Sequence, residues 1–245
     1  MKRITSHVLI YSTLLLGLGS MLLFLLFLFL GSFSVVHLGL TTGQALLLDA
    51  SLSVLFSCQH SIMIRRSFRE KLGGFIQDGF YSAFYAMSSG IALTVMMLLW
   101  QRVPDPLASA GGISYWLLRA LFFSSLAGFH WGAKSLGSFD ALGIKAIKRL
   151  TRNKENRAMP LTVKGAYRWV RHPLYFFMLV MIWSCPVLTA DRLLFNVIWT
   201  IWIVAATILE ERDLVCDFGD QYRTYQMQVP MLIPYRIPRQ SLQKA

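Results

Sequence analysis

Residues 8–30, VLIYSTLLLGLGSMLLFLLFLFL, form an unbroken apolar stretch that contains no Lys, Arg, Asp or Glu. The hydrocarbon core of a bilayer is roughly 30 Å thick, and about 20 apolar residues in a helix cross it. The stretch is too long for the apolar region of a cleavable signal peptide, and it has no small-residue cleavage site. It therefore predicts a membrane-spanning helix.

The remainder of the chain continues this pattern. Of the 245 residues, 55% are hydrophobic and only 15% are charged, which is too little charge to cover a surface that faces water. We predict an all-α fold, a polytopic transmembrane helical bundle with five to six spans. The predicted spans are Val8–Leu30, Gln44–Ile64, Phe80–Trp100, Ile113–Leu136, Pro173–Leu188 and Arg192–Leu209.

The last two spans are short, and Thr189–Arg192 joins them. They predict a tight helical hairpin with Arg192 at its tip, and the sequence leaves open whether this hairpin crosses the membrane fully. The segment Glu210–Gln228 that follows is polar, but it carries apolar residues at helical spacing. It predicts an amphipathic helix on the cytosolic surface.

The net charge is +12, which on a soluble protein would suggest nucleic acid. Here the Lys and Arg residues lie between apolar runs, where anionic lipid headgroups attract them. They favour every second loop, beginning with the N-terminus, and loops rich in Lys and Arg stay in the cytosol. We therefore expect a multi-pass protein with both termini cytosolic, the lipid bilayer as partner and no nucleic acid.

One integral membrane domain is expected over residues 1–245. Its first part, 1–136, would be a four-helix membrane part, and its second part, 137–245, would hold a long basic connection, the hairpin and the C-terminal segment. The connection runs from Gly137 to His172, and connections of this length are usually functional or disordered.

Arg171-His172-Pro173 opens the fifth span. Pro is favoured at the first position of a helix, and the free N–H groups and dipole there attract anions. A carboxylate of an amino acid fits beside Arg171 and His172. The alternative is that Arg171 anchors to lipid headgroups and that His172 is a solvated cap.

Glu210 and Glu211 follow directly after the last apolar span. Acidic residues at a membrane helix end are costly unless they are solvated or paired. A short hairpin would return the chain to the side of His172, where the two acids could accept hydrogen bonds from an ammonium or a ribose. The alternative is ion pairs with nearby arginines.

Two histidines lie inside predicted spans. His60, beside Gln59, lies near the cytosolic end of the second span, and His130 lies in the fourth. Polar side chains in a membrane are candidates for function, although hydrogen bonding between helices explains them equally well. The three cysteines are far apart, and no metal-binding spacing is present, so we expect no metal.

Three ordered blocks in the C-terminal half resemble the isoprenylcysteine carboxyl methyltransferase superfamily. They are Gly165-x-Tyr167-Arg168-x-x-Arg171-His172-Pro173-x-Tyr175, Glu210-Glu211-Arg212-Asp213-Leu214, and the run from Phe218-Gly219-Asp220-x-Tyr222 to Pro230-Met231-Leu232-Ile233-Pro234. The likeness is closest to the methanethiol S-methyltransferase and NnrU-like branch, and it extends upstream through Gly43-Gln44-Ala45-Leu46 and Gln59-His60-Ser61.

The resemblance implies an S-adenosylmethionine-dependent enzyme that methylates a small thiol at the cytosolic face, most simply methanethiol to dimethyl sulfide. The cofactor residues that it implies are Tyr167, Arg171, His172, Tyr175, Glu210 and Glu211. Gln59 and His60 are candidates for binding the substrate, and His60 and His130 are the candidates for catalysis.

Two departures and two alternatives accompany this resemblance. Ala166 stands where the superfamily commonly has Pro, and Ser138 stands where a His is expected in this branch. The alternatives are a methyltransferase of the same fold that acts on a prenylated or lipid substrate, and a non-catalytic NnrU-like membrane factor.

Overall fold

The fold is taken from a computed structural model that describes residues 2–76, 78–137, 140, 142–151, 161 and 163–236. Two compact units share the chain. Unit 1 comprises Met1–Pro106, Asp140–Ala158 and Thr189–Ile198, and unit 2 comprises Leu107–Phe139, Met159–Leu188 and Trp199–Ala245. The expectation of one membrane domain stays a prediction, and Ser138 lies outside the described residues.

Helices account for nearly all of the regular structure in the described part of the chain. The α-helices are α1 (Lys2–Thr13), α2 (Gly19–Leu30), α3 (Thr42–Ile64), α4 (Arg66–Leu72), α5 (Asp78–Leu99), α6 (Gly112–Leu136), α7 (Ile144–Thr151), α8 (Pro173–Trp183), α9 (Ala190–Phe218) and α10 (Asp220–Gln228). A π-helical turn (Leu14–Leu18) joins α1 to α2, a 3₁₀ turn spans Gly165–Arg168, and two short strands, β1 (Pro106–Ser109) and β2 (Val187–Thr189), pair with each other.

Five helices are long and apolar enough to cross a bilayer, which confirms a polytopic helical membrane protein. They are His7–Leu30, Thr42–Ile64, Gly79–Leu99, Gly112–Leu136 and Ala190–Phe218. The helix α8 has 11 residues, which at 1.5 Å per residue is about half of the hydrocarbon thickness. The fifth predicted span is therefore too short to cross as a helix.

In unit 1, the charged residues of the predicted hairpin tip, Asp191 and Arg192, are buried. The helix α9 begins at Ala190, and Arg192 donates hydrogen bonds to the carbonyl oxygens of Phe27 (3.2 Å) and Leu28 (2.9 Å). Asp191 accepts hydrogen bonds from Trp100 Nε1 and from the backbone N–H of Val103, each at 3.2 Å. The two charged side chains thus satisfy polar groups near the ends of other helices, which the sequence pattern did not indicate.

In unit 2, α8 and the second half of α9 run antiparallel. His172, just before α8, contacts Glu211, whereas Trp183 at the far end of α8 donates to Thr200 Oγ1 at 3.0 Å. The helix α6 packs closely against α8, since a Cβ added at Gly128 would overlap the ring of Phe177. The helical hairpin is therefore present, although its two helices differ in length.

The C-terminal helix differs from the prediction in its boundaries. Glu210–Phe218 continues α9, so the last apolar span and the predicted amphipathic helix are one element up to Phe218. The chain then turns at Gly219, whose φ is +56°, and α10 follows. A positive φ favours glycine, which explains why the break falls at this position.

We predict that Gly90→Ala destabilises unit 1. A Cβ at Gly90 would overlap the carbonyl oxygen of Leu16 in the π-helical turn, and forced overpacking costs about 1–3 kcal/mol. The thermal unfolding midpoint in detergent should fall by about 2–4 °C for each kcal/mol. Gly19→Ala is the control, because nothing lies within 4 Å of its added Cβ; equal midpoints for the two variants would contradict this packing.

Candidate functional site

The site lies in unit 2, where the segment before α8 meets the C-terminal segment. Pro173 occupies the first turn of α8, as predicted, and His172 is its N-cap residue. The backbone N–H groups of Arg171 and His172 donate to the carbonyl oxygens of Pro230 (2.9 Å) and Met231 (3.1 Å). Both side chains are thus held at a fixed point at the start of α8.

A single carboxylate, that of Glu211, lies at the centre of the site. Its Oε1 accepts from Arg171 Nε (2.9 Å), His172 Nε2 (2.6 Å) and the hydroxyl of Tyr222 (2.6 Å). Its Oε2 accepts from Arg171 Nη2 and Gln226 Nε2, each at 2.7 Å. A carboxylate offers about four lone-pair positions, so Glu211 is fully used within the protein.

Arg171 is also occupied by the protein. Besides its bidentate pair with Glu211, its Nη1 donates to the carbonyl oxygens of Gln226 and Val229 at the end of α10. A guanidinium near the last carbonyls of a helix is favourable. The structure therefore gives Arg171 an acid partner, which is the ion pair that the sequence left open as the alternative to a ligand carboxylate.

Glu210 differs from its neighbour. Its side chain is 44% exposed, and Oε2 lies 3.7 Å from His172 Nδ1, which is too long for a hydrogen bond. This oxygen is buried, and it has no hydrogen-bond partner within the described ranges. Because an ionised Glu211 only accepts hydrogen bonds, His172 Nε2 donates to it, and a neutral ring then presents Nδ1 as an acceptor. With a neutral ring, Glu210 Oε2 and His172 Nδ1 form a pair of acceptors that a donor could satisfy.

Two tyrosines of the predicted site adjoin this pair. The ring of Tyr175 stacks on His172, with centroids 5.6 Å apart and planes 14° from parallel. Burial, together with the charge of Glu210, raises the pKa of Tyr167 to about 12. Tyr167 is therefore a neutral phenol at physiological pH.

The helix α10 supplies site residues that sequence reasoning did not assign to it. The helical spacing places Tyr222 and Tyr225 among the apolar residues of this segment, but the hydroxyl of Tyr222 donates to Glu211 and that of Tyr225 donates to the carbonyl of Tyr167. Burial raises the pKa of both tyrosines above the usual range. Gln226 also donates to Glu211, and the sequence analysis does not predict it as a site residue. Its position one helical turn after Tyr222 is the feature that would have indicated this contact.

The departure at Ala166 has a structural reason. Ala166 is buried, and its backbone N–H donates to Ser135 Oγ at 3.3 Å. A proline has no N–H, so it could not make this contact between the 3₁₀ turn and α6.

The histidines inside the spans have different surroundings. In unit 1, His60 lies 2.7 Å from the hydroxyl of Tyr85 through Nε2 and 3.2 Å from that of Ser89 through Nδ1. The neighbouring Gln59 donates to Met63 Sδ. In unit 2, His130 is exposed, and at 100° per residue it lies across α6 from the glycines that pack on α8. Their roles in substrate binding and catalysis stay predictions.

Comparison with known proteins identifies relatives over most of the chain. Residues 80–229 match a family described as "Protein of unknown function (DUF1295)". A methanethiol S-methyltransferase of a Pseudomonas species is 35% identical over 81% of this chain and 76% of its own length. That of Mycobacterium tuberculosis is 32% identical over 79% of this chain and 80% of its own.

A more distant relative is Nurim of Rattus norvegicus, which is 26% identical over 68% of this chain and 66% of its own length. No solved structure gave a significant match.

We predict that Glu211→Gln strongly destabilises unit 2. An amide places N–H donors against the donors of Arg171, His172 and Tyr222, and breaking a buried ion pair costs about 3–5 kcal/mol. The thermal midpoint in detergent should fall by about 6 °C or more. Glu210→Gln is the matched control, since Oε2 of Glu210 has no hydrogen bond to lose within the described residues; a similar loss in both variants would count against the central role of Glu211.

Proposed function

The chain belongs to the DUF1295 family and to the family of the methanethiol S-methyltransferases, and on this premise we propose that it methylates a small thiol, converting methanethiol to dimethyl sulfide. The observation that carries the proposal is the identity of 32–35% with methanethiol S-methyltransferases over about four-fifths of the chain. The protein is an integral membrane protein with five helices long enough to span a bilayer.

The methyl donor that we propose is S-adenosylmethionine, and the site in unit 2 fits its chemistry. The cofactor carries an ammonium and ribose hydroxyls, which are donors, and Glu210 Oε2 is a buried acceptor without a hydrogen-bond partner in the described part of the chain. His172 Nδ1 lies 3.7 Å from it. When bound, S-adenosylmethionine supplies an electrophilic methyl group that a thiol sulfur can accept.

Each site residue has a distinct role in this proposal. Glu210 and His172 accept hydrogen bonds from donor groups of the cofactor, while Tyr167 and Tyr175 give the site an aromatic lining. Arg171 and Glu211 bind each other and hold the site together. Because these two opposite charges cancel within the protein, the site is left with the negative charge of Glu210, which suits a sulfonium and an ammonium.

On the substrate side, we propose that Gln59 and His60 of unit 1 bind the thiol. His60 or His130 would take the thiol proton, and the sequence does not choose between them. The nucleophile is a thiolate, and a cysteine-like thiol in water has a pKa of about 8.5, so modest assistance from a neutral imidazole suffices. Charge is cancelled when a thiolate meets a sulfonium, and apolar surroundings favour that step.

We propose that the site faces the cytosol, with both termini on the same side. The basic residues near the N-terminus and between residues 145 and 171 support this orientation. Methanethiol and dimethyl sulfide are small and apolar, so the lipid phase offers both a route in and out.

We expect the purified protein, given methanethiol and S-adenosylmethionine, to release dimethyl sulfide. Headspace gas chromatography measures the product, and a competing prenylated cysteine substrate should not reduce the rate. Preferential methylation of the prenylated substrate would contradict the proposal and identify the protein as a lipid methyltransferase. Folded protein that neither turns over nor binds S-adenosylmethionine would favour a non-catalytic membrane factor.

We also expect Glu210→Gln to weaken S-adenosylmethionine binding by about tenfold, because one hydrogen bond to a charged group is worth roughly 1.5–3 kcal/mol. His172→Ala should weaken it further, since it removes the second acceptor and the ring stacked on Tyr175. Isothermal titration calorimetry of protein with an unchanged unfolding midpoint gives the affinity. Wild-type affinity in both variants would refute the site assignment.

A further inference from the structure

The surroundings of Glu211 come from three separate parts of unit 2. Arg171 and His172 precede α8, Glu211 belongs to α9, and Tyr222 and Gln226 belong to α10. Each carboxylate oxygen receives at least one hydrogen bond from α10: Oε1 from Tyr222 at 2.6 Å and Oε2 from Gln226 at 2.7 Å. The helix α10 thus contacts both oxygens of the acid that holds His172.

The position of α10 is fixed by apolar packing. Tyr222 is 1% exposed and lies in a buried cluster with Tyr225 and Val229. Residues packed against this cluster come from α9 and from the segment before the 3₁₀ turn: Leu214, Val215, Phe218, Leu161 and Val163. The ring is thereby set in place, and only its hydroxyl is directed to Glu211. Gln226 follows at the i+4 position, on the same face of the helix.

We propose that Tyr222 and Gln226 are positioning residues, which hold Glu211 in the one orientation that keeps His172 Nε2 as a donor and leaves His172 Nδ1 as an acceptor for the ligand. This inference rests on the proposed function, since the ligand in question is S-adenosylmethionine. The two residues do not contact the cofactor in this proposal; they act on it through Glu211 and His172.

The geometry around Glu211 gives the physical reason. Oε1 accepts hydrogen bonds from Arg171 Nε at 2.9 Å and from His172 Nε2 and the hydroxyl of Tyr222, each at 2.6 Å. Without the hydroxyl, Oε1 interacts more strongly with the two donors that remain, and its added attraction at His172 favours a second proton on the imidazole. A doubly protonated ring has no acceptor, and it repels a cationic ligand.

The test is the affinity for S-adenosylmethionine as a function of pH, measured by calorimetry on the full chain in detergent. Tyr222→Phe keeps the buried ring and removes only the hydroxyl. We expect affinity to fall by about tenfold near neutral pH, and the pH below which binding is lost to move upward. Among the described residues, the charged and titratable groups that face the His172–Glu211 pair are Arg171, Glu210, Tyr175, Tyr222 and Tyr225, and only Tyr222 changes in this variant.

Gln226→Met provides a second, independent variant in case Tyr222→Phe folds poorly, and it should shift the pH profile in the same direction. Tyr235→Phe is the control, because Tyr235 is 68% exposed and its ring contact with Arg236 is retained in Phe. It should match the unmodified protein at every pH.

The outcomes separate this inference from the proposed function. If the unmodified chain binds S-adenosylmethionine while Tyr222→Phe and Gln226→Met bind it equally well, the positioning role is refuted and the proposed function stands. If both variants lose affinity by the same factor at every pH, their role is structural, which also overturns the inference. If the unmodified chain binds no S-adenosylmethionine, the proposed function fails and this inference fails with it.

Discussion

The carboxylate of Glu211 is the interaction on which the rest of unit 2 depends. Glu211, in the last third of α9, contacts both the segment before α8 and the helix α10. Its partner Arg171 is 40 residues earlier in the chain, and its partner Tyr222 is 11 residues later. Five hydrogen bonds, two of them from the cationic Arg171, offset the desolvation of this buried carboxylate.

In this arrangement two adjacent acids have different surroundings. Successive residues on a helix point in directions about 100° apart, so Glu211 is directed into the protein while Glu210 remains 44% exposed beside His172. Glu211 accepts a hydrogen bond from the imidazole, and Glu210 is the acid that we propose to meet a ligand. Methyl transfer to a small thiol asks little covalent chemistry of the protein, so a rigid binding site is its main contribution.

Much of the fold could be predicted from sequence, because hydrophobic length is a direct consequence of bilayer thickness. The first four spans agree with the helices within a few residues, and Pro173 begins α8. The burial of Asp191 and Arg192 could not be predicted, because their partners at Phe27 and Trp100 are distant in sequence. The sequence predicted that His172 and the Glu210–Glu211 pair lie close together. It could not distinguish the roles of the two acids or identify Tyr222 and Gln226 as donors, because these also depend on contacts between distant parts of the chain.

The most direct test of the central role of Glu211 is an electron cryo-microscopy structure of the purified protein with S-adenosylmethionine bound. We expect the ligand to contact Glu210 and His172 Nδ1, with the Arg171–Glu211 pair and the hydroxyl of Tyr222 unchanged. A ligand that displaces Arg171 from Glu211, or that binds away from His172 altogether, would contradict this arrangement.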